Sequence, residues 1–382
     1  MCMSRGMLAL LALVAALLAA APTAAAAKRR VPHGFFGVMW DGSVVHADDG
    51  VQDDQWALMA RTGVESVRAV FSWKQAQPTA GASPDFSHTD QVVTLAAEHG
   101  ISVLPVVLDT PGWAAAFDHS YSPPRDPADF GDFLQALVVR YGPDGTFWTD
   151  NPLLPKHPIR YWQIWNEPHL SYRWYAPKGS KYAWPRGYVA LLKMARAVLR
   201  SADPHAKVVL GGLTNDSWNR LHELYRLHAR RYFDVAAIQT YTGAPRLALK
   251  AIRLFRRVMR RGGDPRKPIW ATETGWPAAV GRMHVPKGQR TLVATDRGMA
   301  SDLRKMFRSV AAKRRLLRYR VGRVFWYTWS SPYKALSDIF DFAGLESYYQ
   351  GNFERKPALR AYRRTVLRLE GCAKDSSGVC KS

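Results

Sequence analysis

The chain has 382 residues, 47% of them hydrophobic and 12% aromatic, which is too apolar for an intrinsically disordered chain and enough to bury a large core. Its formal net charge of +23 attracts polyanions to the surface. No zinc-finger, RNP-type or helix-turn-helix pattern accompanies that charge, so nucleic acid is not the expected partner.

The first segment in chain order is a leader. Arg5, the apolar run Met7 to Ala21 and the small residues ending at Ala25, Ala26 and Ala27 read as a secretory signal over residues 1–27, cleaved before Lys28. A membrane span is the competing reading, but the run is short of the ~20 residues a span needs, so none is expected after signal removal. Cys2 lies upstream of the apolar run and offers no lipid-attachment point at the cleavage site. The mature chain is therefore expected to be secreted. It keeps nearly all the positive charge, because Arg5 is the only charged side chain of the leader.

Eight β-rich segments follow: Phe35 to Trp40, Ser66 to Phe71, Ser102 to Leu108, Tyr161 to Trp165, Lys207 to Leu213, Val235 to Gln239, Ile269 to Thr272 and Arg323 to Thr328. Between them, apolar positions recur at helical spacing over Gln55 to Arg61, His88 to Glu98, Pro127 to Tyr141, Gly187 to Ser201, Asn219 to Arg230, Arg246 to Arg261 and Asp302 to Ala312, and a last helix covers Pro357 to Leu369. Strict alternation of strand and helix predicts a parallel sheet of the α/β class, and eight strands close a single (β/α)8 TIM barrel over residues 28–371. Long loops follow strand four, His169 to Arg186, and strand seven, Pro277 to about Gly298. In the tail, residues 372–382, Cys372 and Cys380 form an even pair in an exported chain and are expected to close a small disulfide loop.

Two strings carry the chemistry. IWNEP, Ile164 to Pro168, and ATETGW, Ala271 to Trp276, each set a glutamate at the end of an apolar run. Strand ends of such a barrel share one rim, so Glu167 and Glu273 are expected on the same rim. Two carboxyl groups there can divide the labour: one protonates a leaving oxygen, the other attacks carbon. The acid must hold its proton near neutral pH, which calls for desolvation or a nearby negative charge, and Glu167 follows Trp165 and an apolar strand. The nucleophile must stay ionised, and Arg68 of strand two is the natural cation for it. Taken singly, Glu167 also reads as a carboxylate capping the helix after strand four, and Glu273 as a surface loop acid.

The strings Asn166, Glu167, Pro168 and Glu273, Thr274, Gly275, Trp276 resemble those of the clan A retaining glycoside hydrolases, whose catalytic glutamates end strands four and seven of a (β/α)8 barrel. The resemblance runs from about Gly34 to Tyr362 and implies cleavage of β-linked glycosidic bonds, with Glu167 as general acid/base and Glu273 as nucleophile. By the same likeness Asn166 would bond the sugar 2-hydroxyl, Arg68 and Tyr241 would serve Glu273, and Trp326 in FWYTW would floor the sugar site. His169 and Trp276, next to the two motifs, are further substrate-binding candidates. Many relatives carry histidine where this chain has Gln239; glutamine keeps a donor but no charge. The run Thr110 to Ala114, with Trp113, together with Arg140, Tyr141, Gly142, is similar to families 39 and 5, including bacterial exopolysaccharide hydrolases. ETGWP is similar to family 17 only in part, since Ala278 stands where that pattern wants a small polar residue.

The fourth loop holds His169, Tyr172, Trp174, Tyr175, Tyr182 and Trp184. Aromatic rings stack on sugar faces, so the loop reads either as subsites for a glycan or as a satellite hydrophobic cluster. Interleaved Arg173, Lys178, Lys181 and Arg186 suit carboxylate-bearing sugars or solvent alone. Two basic helix-like runs, Arg253 to Arg261 and Arg304 to Arg320, read as solvated outer faces or as attraction for an anionic polysaccharide. His222 and Glu223 begin a zincin-like string, but the next histidine, His228, is six positions on, off the shared helical face. No metal and no cofactor are implied. The rivals to a hydrolase are a non-catalytic glycan-binding barrel and a transglycosylase using the same pair.

Overall fold

The computed structural model describes residues 28–332, 337–349 and 351–372. The expected signal segment and Cys380, hence the expected disulfide, lie outside the described residues.

The barrel strands are β1 Phe36–Trp40, β2 Ser66–Ser72, β3 Ser102–Leu108, β4 Tyr161–Ile164, β5 Lys207–Val209, β6 Ala236–Gln239, β7 Ile269–Thr274 and β8 Val321–Trp326. They lie in the order β5-β4-β3-β2-β1-β8-β7-β6, with parallel bridges Val209–Val235 and Leu213–Ile238 joining the two ends. The fold is the expected (β/α)8 barrel. Its helices are α1 Asp49–Thr62, α2 Ser87–Glu98, α3 Pro127–Tyr141, α4 Arg186–Ala202, α5 Ser217–Arg226, α6 Pro245–Arg261, α7 Asp296–Val310 and α8 Pro357–Glu370.

The helices form where the sequence supplies both a start signal and an apolar stripe. Asp126 accepts from the Ala128 backbone N–H at 2.9 Å with Pro127 in the first turn, a cap worth about 1 kcal/mol. Phe130, Phe133, Leu134, Leu137, Val138 and Tyr141 then bury one face of α3. In α6 the buried stripe is Ala248, Ile252, Phe255 and Met259, while Arg253, Arg257, Arg260 and Arg261 stay exposed. Arg256 departs from that solvated face. It is buried and its guanidinium donates to the carbonyls of Tyr319 (3.0 and 2.8 Å) and Lys267 (2.8 Å), tying α6 to the approach to β8.

Three features differ from the sequence expectation. The run Arg304 to Arg320 is not one helix: α7 stops at Val310 and a separate helix spans Lys313–Tyr319. No glycine or proline marks the break, which falls at Ala311 and Ala312. β5 is shorter than expected, and Gly211 and Gly212 follow it. A Cβ at Gly212 would lie 2.6 Å from Gln239 Nε2, so glycine there is what lets Gln239 approach. Beyond β8 a small second sheet, β9 Ser330–Pro332, β10 Glu346–Tyr349 and β11 Asn352–Arg355, pairs parallel then antiparallel; its strands are too short to stand out as periodic runs. Among the described residues no helix is long and apolar enough to cross a membrane.

Candidate active site

Glu273 is the penultimate residue of β7 and Glu167 lies three residues beyond the end of β4. The chain after β4 makes a sharp turn, with Trp165 at φ 65° and Glu167 at φ 48°. Left-handed backbone at two non-glycine residues is costly and persists where the surroundings enforce it. Here the enforcement is visible: the Trp165 backbone N–H donates to Val107 of β3 at 2.9 Å, and its indole N–H donates to the Arg173 carbonyl at 2.8 Å.

Arg68 of β2 organises the floor. It is 1% exposed, and its guanidinium donates from Nε to Gln163 Oε1 (2.7 Å), from Nη1 to Glu273 Oε1 (2.7 Å) and from Nη2 to Asn166 Oδ1 (2.9 Å). One buried fork thus joins β2, β4, the residue before Glu167, and β7. Gln239 Nε2 donates to the same two acceptors, Glu273 Oε1 and Asn166 Oδ1, both at 2.7 Å. Tyr241 OH donates to the other Glu273 oxygen, Oε2; burial first, then the Glu273 charge, pushes this phenol well up, so it stays a donor. Glu273 therefore accepts from three donors, one of them a cation. Because both partners of Asn166 Oδ1 are donors, its amide orientation is fixed and its NH2 faces away from them, free for a hydroxyl.

Glu167 has the opposite surroundings. It is 8% exposed, and its pKa is raised to about 8 by burial first and by the neighbouring Glu273 charge second, with Arg173 and Arg68 opposing. Arg173 Nε stands 3.8 Å from Glu167 Oε2, its side chain 48% exposed. The site thus sets a buried carboxyl, raised to about 8, beside a second carboxyl that accepts from three donors.

A family model described as beta-galactosidase, Glyco_hydro_42, matches residues 45–120. No curated protein matches the chain. Among solved structures, a family 39 glycoside hydrolase from Bacteroides cellulosilyticus superposes with a TM-score of 0.67 at 17% identity, covering 89% of this chain and 64% of that one. A monomeric beta-xylosidase from Caulobacter crescentus gives 0.63 at 16% identity, covering 88% and 69%. A GH5_18 variant from Streptomyces cattleya, in complex with Manb1-4GlcNAc, gives 0.63 at 18% identity, covering 87% and 80%. The fold is the barrel of known glycoside hydrolases. This chain spans slightly less than two thirds of the length of the family 39 structure.

Of the residues singled out from sequence, the barrel brings Arg68, Asn166, Gln239, Tyr241 and Glu273 into one hydrogen-bonded cluster, with Glu167 in electrostatic contact. Trp326 and Trp276 are placed elsewhere. Trp326 is 0% exposed, packs on Phe307 of α7 and donates to the Ala343 carbonyl at 3.1 Å; Trp276 is buried against it and donates to the Thr242 carbonyl at 2.6 Å. Neither indole has a face left for a sugar. The next residue, Tyr327, lies near Glu273 instead: its ring is 6.2 Å from that of Tyr241 and 5.9 Å from Phe340, and its hydroxyl donates to Asp41 at 3.4 Å. Trp113 is half-buried on Trp73 and donates to the Gln77 carbonyl at 3.0 Å. His169 packs edge-on to Trp184, and burial, aided by the Arg220 cation, lowers its pKa to about 4, so it is neutral.

The aromatic loop divides between its two readings. Trp174 is buried against Trp165 and Tyr188, and Trp184 stacks on Tyr188 and donates to Glu223 at 2.5 Å; these rings are a satellite cluster that shapes the loop. Tyr172 remains exposed, with the Arg173 guanidinium 5.9 Å over its ring. Tyr327, Asp41, Gln163 and the special place of Arg173 were not singled out from sequence. Tyr327 was signalled only by the aromatic run FWYTW, and Arg173 only as one of several interleaved basic residues.

Proposed function

We propose that the protein is an exported retaining glycoside hydrolase acting on β-linked sugars, with Glu273 as nucleophile and Glu167 as general acid/base. The observation that carries this reading is the split of environments: Glu167 raised to about 8 beside a Glu273 that accepts from Arg68, Gln239 and Tyr241. In the first step Glu273 attacks the anomeric carbon while Glu167 gives its proton to the departing oxygen. Glycosylation removes the negative charge of Glu273, which is one cause of the high Glu167 pKa. That pKa then falls, and Glu167, now a carboxylate, takes a proton from the water that releases the sugar. The Asn166 amide is oriented to bond the sugar 2-hydroxyl, a contact that strengthens in the transition state.

The similar structures include a beta-xylosidase and a protein in complex with Manb1-4GlcNAc, so β-xylosides and β-mannosides head the substrate panel, with β-galactosides and β-glucosides beside them. The test is hydrolysis of aryl glycosides and polysaccharides, with the first-formed anomer read by proton NMR. Retention with loss of turnover in Glu273→Ala supports the mechanism; inversion, or full activity in that variant, removes it. Binding without hydrolysis across the panel would favour the glycan-binding rival, and sugar transfer outpacing hydrolysis would favour a transglycosylase.

A further inference from the structure

The outer wall of the barrel carries a second feature. A groove of about 580 Å³ runs between α7 and α8, lined by Arg297, Arg304 and Arg308 of α7 and by Arg360 and Arg364 of α8. All five side chains are exposed, and among the described residues none of them has an acidic partner: the nearest acids of α7, Asp296 and Asp302, are engaged by Arg282 at 2.7 Å and by Lys305 at 3.3 Å. The floor adds an unsatisfied group. Thr365 lines the groove, is 3% exposed, and its Oγ1 has no hydrogen-bond partner. A buried hydroxyl of that kind ordinarily finds one.

Five guanidiniums in one groove repel each other, and each offers a fork that matches a carboxylate or phosphate. The arginines of α7 recur on one face over residues 297–308, a length of about 16 Å at the helical rise. Helices of this barrel run opposite to its strands, so the first turns of α7 and α8, with Arg297 and Pro357, stand at the rim that holds Glu167 and Glu273.

We propose that the groove is an accessory binding site for an acidic polysaccharide chain, which lays successive carboxylates on the arginines and extends from the rim down the wall. The choice of a glycan among polyanions rests on the proposed glycosidase reading. The lining counts against single-stranded nucleic acid and lipid. It contains no aromatic ring on which nucleic-acid bases would stack, and its apolar members are three small residues with nothing to insert into lipid.

The test is calorimetric titration of the full chain with oligogalacturonate, and with an uncharged cello-oligosaccharide of equal length. The expected result is binding of the acidic probe that weakens with added salt and falls by about tenfold or more in Arg304→Glu/Arg364→Glu with an unshifted melting temperature. Arg304→Gln/Arg364→Gln, which adds no negative charge, should lose affinity in the same direction should the reversal variant fold poorly. Undiminished binding in both variants, no binding of oligogalacturonate, or tighter binding of single-stranded DNA or phosphatidylglycerol vesicles at this groove would overturn the proposal. Loss of hydrolysis on every substrate with groove binding intact would count against the active-site reading alone.

Discussion

Replacing Arg173 with alanine should extend activity to higher pH. In the proposed mechanism Glu167 acts as an acid, so the reaction needs its protonated form, present below its pKa of about 8 and lost above it. The Arg173 cation favours the ionised form, so its removal raises that pKa and moves the alkaline limb of kcat/KM upward. Its Nε is 3.8 Å from Glu167 Oε2, but the side chain is 48% exposed, so the pair is screened by water. At a dielectric near 80 that distance corresponds to about 1 kcal/mol, or just under one pH unit. The assay is a pH profile on an aryl β-glycoside with a poor leaving group, for which proton donation limits the rate. Arg173→Lys should leave the limb in place, and about 1 M salt should move the unsubstituted protein part of the way toward the alanine variant. A limb that stays fixed in Arg173→Ala, or moves down, refutes the electrostatic account of the pocket.

Glu167→Ala should lose about 10²–10⁴-fold in kcat on poor leaving groups and little on dinitrophenyl glycosides, which need no proton. Trp326→Ala should cost about 3–5 kcal/mol of stability in denaturant unfolding, whereas Tyr327→Ala should change stability much less and lower kcat/KM; the reverse pattern would return Trp326 to the sugar floor. Burial raises Glu346 to about 7 and, with the Glu65 charge, raises Glu370 to about 9. Both folded values exceed the unfolded one, so the stability they contribute is complete below about pH 4.5 and is lost as pH rises through about 7 and then 9. The melting temperature should therefore fall across that window, and a Glu370→Gln chain that shows the same fall at its upper end would contradict the assignment.

Much of this molecule was legible in its residues. Apolar runs of four to seven, separated by stripes of helical spacing, named eight strands and eight helices because burial on one face imposes a period. Glu167 and Glu273 could be paired before any coordinates, since a parallel barrel sends every strand end to one rim. Arg68 was marked as a strand-two cation, whereas Asn166, Gln239 and Tyr241 were marked only by the resemblance to clan A glycoside hydrolases.

The rest depended on facing and on folding back, which no local pattern encodes. In a strand, successive residues face opposite sides: Trp326 ends β8 packed outward on Phe307 of α7, and the next residue, Tyr327, turns toward Glu273. Arg173 reaches Glu167 because Trp165 and Trp174 pack at 4.9 Å and fold the fourth loop back, a contact between residues nine apart in an irregular segment. The five arginines of the outer groove belong to helices separated by the whole of β8 and the small sheet. Sequence sets the chemistry and period of each element, while only close packing of the finished barrel determines which side chains meet.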